Sequence, residues 1–171
     1  MSDDPNASAR GDDADLDADA LSGGELAVLE RRLDEWIAEL DSEHEHIVAV
    51  DRDADVARRW YVRMRGEEKD FTTVWLTLGQ RTLRYESYVM PAPEENERDL
   101  YENLLRRNER LVGVHFSIGD EDAIFLRGVL PAHAVVRADV DRILGTVYAT
   151  VEQTFTALLR IGYASRFTDE S

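Results

Sequence analysis

Apolar residues recur at helical spacing in three places along the chain and at spacing two in five others, and the order of these patterns predicts the fold. After Ser22-Gly-Gly, the residues Leu26, Leu29, Leu33, Trp36, Ile37 and Leu40 fall on one side of a 3.6-residue period, which predicts an amphipathic helix over about 24–41. Asp41-Ser-Glu-His-Glu-His is polar, and Ile47-Val-Ala-Val reads either as a short strand or as an extended lead-in. From Arg58 the period changes to two. Trp60, Val62 and Met64 alternate with Arg59, Tyr61, Arg63 and Arg65; Val74, Leu76 and Leu78 alternate with Thr73, Trp75 and Thr77; and Leu83, Tyr85, Ser87 and Val89 alternate with Arg84, Glu86 and Tyr88. The short connections Gly66-Glu-Glu-Lys-Asp and Gly79-Gln-Arg favour an antiparallel meander.

Pro91-Ala-Pro-Glu-Glu-Asn ends the third of these strands and opens a helix predicted over about 94–110. Glu94, Glu95 and Glu97 suit the positive end of its dipole, and Arg106, Arg107 and Arg110 suit its C-terminal end. Leu100, Tyr101, Leu104 and Leu105 supply its apolar stripe. Val114, Phe116 and Ile118 return to period two, Gly119-Asp-Glu-Asp makes a turn, and Ala123-Ile-Phe-Leu-Arg-Gly-Val-Leu completes a hairpin that Pro131 stops. A long helical stripe from Val140 to Leu159 predicts a last helix over roughly 138–160. The order is α-β-β-β-α-β-β-α. Strands in runs with helices set apart indicate an α+β single domain, with helices packed on a mainly antiparallel sheet.

Charge changes this picture at one end. The chain of 171 residues has a formal charge of −16, and residues 1–22 hold seven Asp against one Arg, so −6 belongs to them and −10 to the rest. With only Leu16 and Leu21 as sizeable apolar groups after the initiator Met, residues 1–22 are expected to form a disordered acidic tail. The domain is then expected over 23–167, with a short C-terminal tail at 168–171. An acidic chain is a poor match for nucleic acid or anionic lipid, because both reward clustered Lys and Arg. No stretch approaches the roughly 18 apolar residues of a membrane span, and the N-terminus lacks the basic and apolar regions of a signal peptide. The absence of cysteine fits a reducing compartment and removes thiolate chemistry, so a cytoplasmic protein is expected.

The sequence carries no recognisable catalytic or metal-binding pattern. The glycines form no phosphate-cradling array, no Gly-x-Ser-x-Gly elbow is present, and the four histidines at 44, 46, 115 and 133 lack a Ser or Cys constellation. His44 and His46 beside Glu43 and Glu45 have no third ligand in view, so a hydrated connector accounts for them better than a metal site. Asp51-Arg-Asp-Ala-Asp begins like a calcium loop but places Val56 where glycine is needed and Val62 where the bidentate Glu belongs. No catalytic residue, metal or cofactor is assigned. Trp75 and Tyr88 lie on strand faces opposite the aliphatic sets, and with Tyr61 and Arg63 they are the candidate partner-binding residues, against the alternative of a solvated sheet face.

Five strings carry a resemblance: Tyr85-Glu-Ser-Tyr-Val-Met-Pro-Ala-Pro-Glu-Glu-Asn, Leu104-Leu-Arg-Arg-Asn, Gly113-Val-His-Phe-Ser-Ile-Gly-Asp-Glu-Asp, Leu130-Pro-Ala-His and Arg160-Ile-Gly-Tyr-Ala. Together they resemble the actinobacterial branch of the YbjN family, described as sensory transduction regulators, over roughly residues 25–167. The resemblance implies a fold like that of the class I chaperones of type III secretion, with the same element order, and it brings no catalytic residue. The function it implies is a non-enzymatic adaptor or chaperone-like regulator that binds an extended segment of another protein on the sheet or along its edge. Two alternatives stand beside it. One is a small-ligand sensor or enzyme with a site between the sheet and the last helix, using Tyr85, Arg107, His115 and His133; the other is a structural homodimer.

Overall fold

A computed structural model describes residues 19–168, so the acidic tail expected over 1–22 lies for the most part outside the described residues. Its last residues, Leu21 and Ser22, are tied to the domain. The Leu21 N–H donates to the Gln80 carbonyl (2.8 Å), and Ser22 caps the first helix α1 (Gly23–Glu43) in a reciprocal box with Glu25. The strands are β1 (Ile47–Arg52), β2 (Arg59–Arg65), β3 (Phe71–Leu78) and β4 (Thr82–Met90). After them come α2 (Glu97–Asn108), β5 (His115–Ile118), β6 (Ile124–Pro131) and α3 (Arg137–Gly162).

The strands form one antiparallel sheet in the order β1-β2-β3-β4-β6-β5. The segment left open in the sequence is therefore a strand at the edge of the sheet, giving α-β-β-β-β-α-β-β-α. Its pattern is hard to read for a physical reason. A register shift between Ile47 and Ala49 breaks the alternation, and Ile47 is its one buried position.

The aliphatic sets predicted from period two on β2, β3 and β4 form the core together with Ile124 and Leu126 of β6. Trp60, Val62, Met64, Val74, Leu76, Leu83, Val89, Ile124 and Leu126 are at most 1% exposed, and they meet Leu33, Ile37 and Leu40 of α1, Leu100 of α2 and Val140, Val147, Val151 and Leu158 of α3. All three long helices contribute to this one cluster, so they gather on one face of the sheet.

The second helix starts later than the proline-and-glutamate cluster suggests. The Glu94 and Glu95 N–H groups both donate to the Gly162 carbonyl, and Asn96 takes a left-handed conformation with its amide donating to the Ile161 carbonyl. Glu94 pairs with Arg166, while Glu95 accepts from Ser165, so these carboxylates dock the end of α3. Glu97 and Asp99 occupy the first turn of α2 instead.

Candidate functional site

The residues that alternate with the core set point away from the helices. On β2 these are Arg59, Tyr61, Arg63 and Arg65, on β3 Phe71, Thr73, Trp75 and Thr77, on β4 Arg84, Glu86 and Tyr88, and on β6 Phe125 and Arg127. Register then assembles them. Asp51, Tyr61, Trp75, Glu86, Arg127 and His115 stand opposite one another in succession, one from each strand, so a single row crosses the whole sheet.

The centre of this face is aromatic. Tyr61 meets Trp75 edge to face with centroids 6.2 Å apart, Trp75 meets Phe125 at 6.2 Å, and Phe125 meets Tyr88 edge to face at 5.7 Å. The ring from β3 and the ring from β6 thus approach each other across β4, between Glu86 and Tyr88. Phe125 is the buried member. The backbone at Gly119 runs so close that a Cβ there would stand 2.5 Å from the Phe125 ring, and the Arg127 guanidinium lies 4.5 Å from the ring centre on the same residue. Tyr88 and Phe71 are exposed, while Tyr61 and Trp75 are half-buried, each in contact with a neighbouring ring.

Polar groups surround the rings. Arg127 donates to Glu86 (2.9 Å) and to Ser117 (3.2 Å), Arg59 donates to Thr77 (2.9 Å), and Arg63 lies 3.8 Å over the Phe71 ring. The Tyr61 hydroxyl donates to Asp53. That bond, with the Val56 and Asp55 N–H groups, holds the Asp53 carboxyl down to about 2. The aspartate read as part of a failed calcium loop is thus the acceptor that closes the turn after β1.

Beyond Trp75 and Glu86 the β3–β4 ladder stops. There Lys69 reaches in, its Nζ donating to the Tyr88 carbonyl (2.8 Å) and lying between the rings of Tyr88 (5.2 Å) and Phe155 (5.6 Å). Burial lowers its ammonium to about 8. Glu152 of α3 anchors the same turn, accepting from the Glu67, Glu68 and Lys69 N–H groups. The Thr72 and Ser87 hydroxyls, buried where the ladder ends, have no hydrogen-bond partner among the described residues.

The two groups of candidate residues fare differently. Tyr61, Arg63, Trp75 and Tyr88 share the uncovered face. Tyr85, Arg107, His115 and His133 lie in four places. Tyr85 is buried, its hydroxyl donating to the Gly113 carbonyl and its ring packed over Gly128, at the wall of a cleft of about 400 Å³ with Leu130 and Arg142. Arg107 lines a groove between α2 and α3, where it donates to Asn103. His133 sits in a turn beside α1, and His115 is exposed at the far end of the cross-sheet row. Sequence reasoning missed Phe125, Arg127 and Phe71. Their signal is faint but present: in Ile124-Phe-Leu-Arg, the aliphatic residues alternate with Phe125 and Arg127.

One outer edge of the sheet is already engaged. On β5 the Asn108 side chain accepts from the Phe116 N–H (2.7 Å) and donates to the Phe116 carbonyl (3.0 Å), occupying both groups as a neighbouring strand would. Among the described residues no group of three or more His, Asp or Glu is placed to hold a metal ion, and no helix is long and apolar enough to cross a membrane.

These elements define an α+β protein whose helices occupy one side of an antiparallel sheet and whose other side presents aromatic and arginine side chains. The chain belongs to the YbjN family: that family, described as "Putative bacterial sensory transduction regulator", matches residues 31–160. It is 38% identical over 109 residues to an uncharacterised protein of Mycobacterium bovis, covering 64% of this chain and 60% of that protein. It is 33% identical over 112 residues to an uncharacterised protein of Mycobacterium leprae, covering 66% and 61%. The chain thus matches about 60% of the length of these curated relatives. Among solved structures it is similar to a chain of the heterodimeric ExoU–SpcU complex from the type III secretion system of Pseudomonas aeruginosa, at 13% identity, 74% of this chain, 96% of that chain and a TM-score of 0.44. A likeness at that level carries no functional argument.

Proposed function

We propose that this protein is a non-enzymatic adaptor or chaperone-like regulator, and that it binds a segment of another protein on the uncovered face of its sheet. The observation that carries the reading is the linked cluster Tyr61, Trp75, Phe125 and Tyr88 at the centre of a face that no helix covers among the described residues. Aromatic side chains in such a position supply large contact area at small entropic cost, and arginines around them supply directional hydrogen bonds. The face is favoured over the β5 edge because Asn108 already occupies the Phe116 backbone groups that an added strand would need. A small-ligand site has less support, since Tyr85, Arg107, His115 and His133 stand apart.

The test is selection of peptides from a random display library on the purified protein, followed by titration against variants. Selected peptides are expected to lose at least about tenfold in affinity on Trp75→Ala or Tyr88→Ala, and to keep it on Leu105→Ala, an exposed apolar substitution on α2. Affinity unmoved by Trp75→Ala and Tyr88→Ala would sink the reading.

A further inference from the structure

The charge on the uncovered face is opposite to that of the molecule. Its strand residues include Arg59, Arg63, Arg65, Arg84 and Arg127 against Asp51 and Glu86, five cations to two anions, on a chain whose net charge is −16. Asp53 at its margin is held by Tyr61 and two backbone N–H groups. Among the described residues Arg63 and Arg65 have no carboxylate within ion-pair distance; Arg63 instead lies over the Phe71 ring, on the same strand face as Tyr61.

We infer that the partner segment is acidic: a peptide stretch of Asp or Glu side chains flanking at least one large apolar residue, supplied by a second protein. The inference rests on the reading of this face as the docking surface and adds the chemistry of what docks there. Two physical effects favour it. Guanidinium groups of half-buried and stacked arginines make bidentate, charge-assisted bonds to carboxylates, and the adjoining rings receive the apolar anchor. The rest of the surface, strongly negative, repels an acidic segment, so such a partner is rejected everywhere except on this face. A basic segment has the converse behaviour, attracted to the acidic surface at large and to no particular place on it.

The inference is tested on the full chain with three fluorescent peptides that share one Leu and one Tyr and differ only in flanking Glu, Gln or Lys. Anisotropy is measured at about 0.15 M salt, where the screening length is about 8 Å. The Glu peptide is expected to bind at least about tenfold more tightly than the Gln peptide and to lose that advantage on Arg63→Glu. It is also expected to weaken on Trp75→Ala and recover on Trp75→Phe, which keeps an aromatic ring in place and controls for folding. If the Gln peptide binds as tightly as the Glu peptide and both respond to Trp75→Ala, the docking face stands and the acidic class is overturned. If no peptide responds to Trp75→Ala, the docking reading itself fails and this inference with it. If the Glu peptide binds only after residues 1–18 are removed, the face belongs to this chain's own acidic segment, and the second protein is overturned as its occupant.

Discussion

The two faces of the sheet are built from the same strands, residue by residue in alternation, yet they obey different rules. On the helix side Trp60 is 1% exposed, its indole N–H donates to Asp34 (2.7 Å), and Arg52 lies 4.5 Å over its ring while pairing with Glu30 and Asp34. On the open side Trp75 occupies the neighbouring strand with its outer surface in water, touching Tyr61 and Phe125 laterally. Both tryptophans are part of aromatic and arginine arrangements. The first is finished by α1, and the second has room for something else. Large apolar groups held half-exposed on a sheet contribute less to stability than they could, as the proposed docking face requires.

The sharpest way to break this comparison is to truncate each tryptophan. Trp60→Ala removes a fully enclosed indole and leaves Asp34 with Arg52 as its remaining partner, so it is expected to cost about 3–5 kcal/mol. Trp75→Ala removes a ring that water already reaches and is expected to cost about 1–2 kcal/mol. Urea unfolding monitored by far-UV circular dichroism compares the midpoints at equal slope. Equal costs would mean that the outer face is covered as fully as the inner one.

Period two in the sequence was enough to place Tyr61, Arg63, Trp75 and Tyr88 on the non-aliphatic sides of their strands, because alternation alone decides which residues share a side of one strand. It could not say that these sides form one continuous face. That depends on the pairing of β4 with β6, which brings Tyr88 opposite Phe125 across a helix and a strand of intervening chain. Phe125 was accordingly invisible as the link between Trp75 and Tyr88. The start of α2 departs from its local pattern for a similar reason: Glu94 and Glu95 have the composition of a first helical turn, but the end of α3, distant in sequence, captures them. The candidate ligand set does not converge because Tyr85 faces the core while His115 faces out, a difference set by strand parity, and because Arg107 lies in the last turn of α2 while His133 lies in the turn before α3, whose packing no local pattern reveals.

A smaller effect concerns the seam between the two faces, where Lys69 takes the Tyr88 carbonyl. Its ammonium is lowered from 10.5 to about 8 by burial, so the folded state binds that proton less tightly than the unfolded chain. Below about pH 8 both states are charged and the full cost of burying the charge is present. Between about 8 and 10.5 the unfolded state carries more of the proton, so this contribution makes stability rise with pH. Allowing for the water that reaches the group, the gain is about 1 kcal/mol. The tyrosines raised above their usual range, Tyr85 and Tyr88 among them, act with the opposite sign as the pH passes 10. The difference between the wild type and Lys69→Met is therefore the quantity to measure, and it is expected to close as the pH rises through that window. A difference that stays constant from pH 7 to 10.5 would show that Lys69 is hydrated.

The smallest effect is the most diagnostic of what the open face is. Arg127 and Glu86 stand opposite each other in the cross-sheet row, 2.9 Å apart, with about a third of each side chain exposed. In the free protein water screens the pair, so a double-mutant cycle with Glu86→Ala and Arg127→Ala is expected to give a coupling of about 0.2–1 kcal/mol. Were a helix or a second copy of the chain already seated on this face, the same charges would interact through a lower dielectric, and the coupling would rise to several times that value. The cycle thus reads the dielectric above the sheet at one point without any knowledge of the partner. Repeated with a bound peptide, it separates two modes of docking. A segment lying over the row desolvates the pair and raises the coupling, whereas a carboxylate that draws Arg127 away from Glu86 abolishes it.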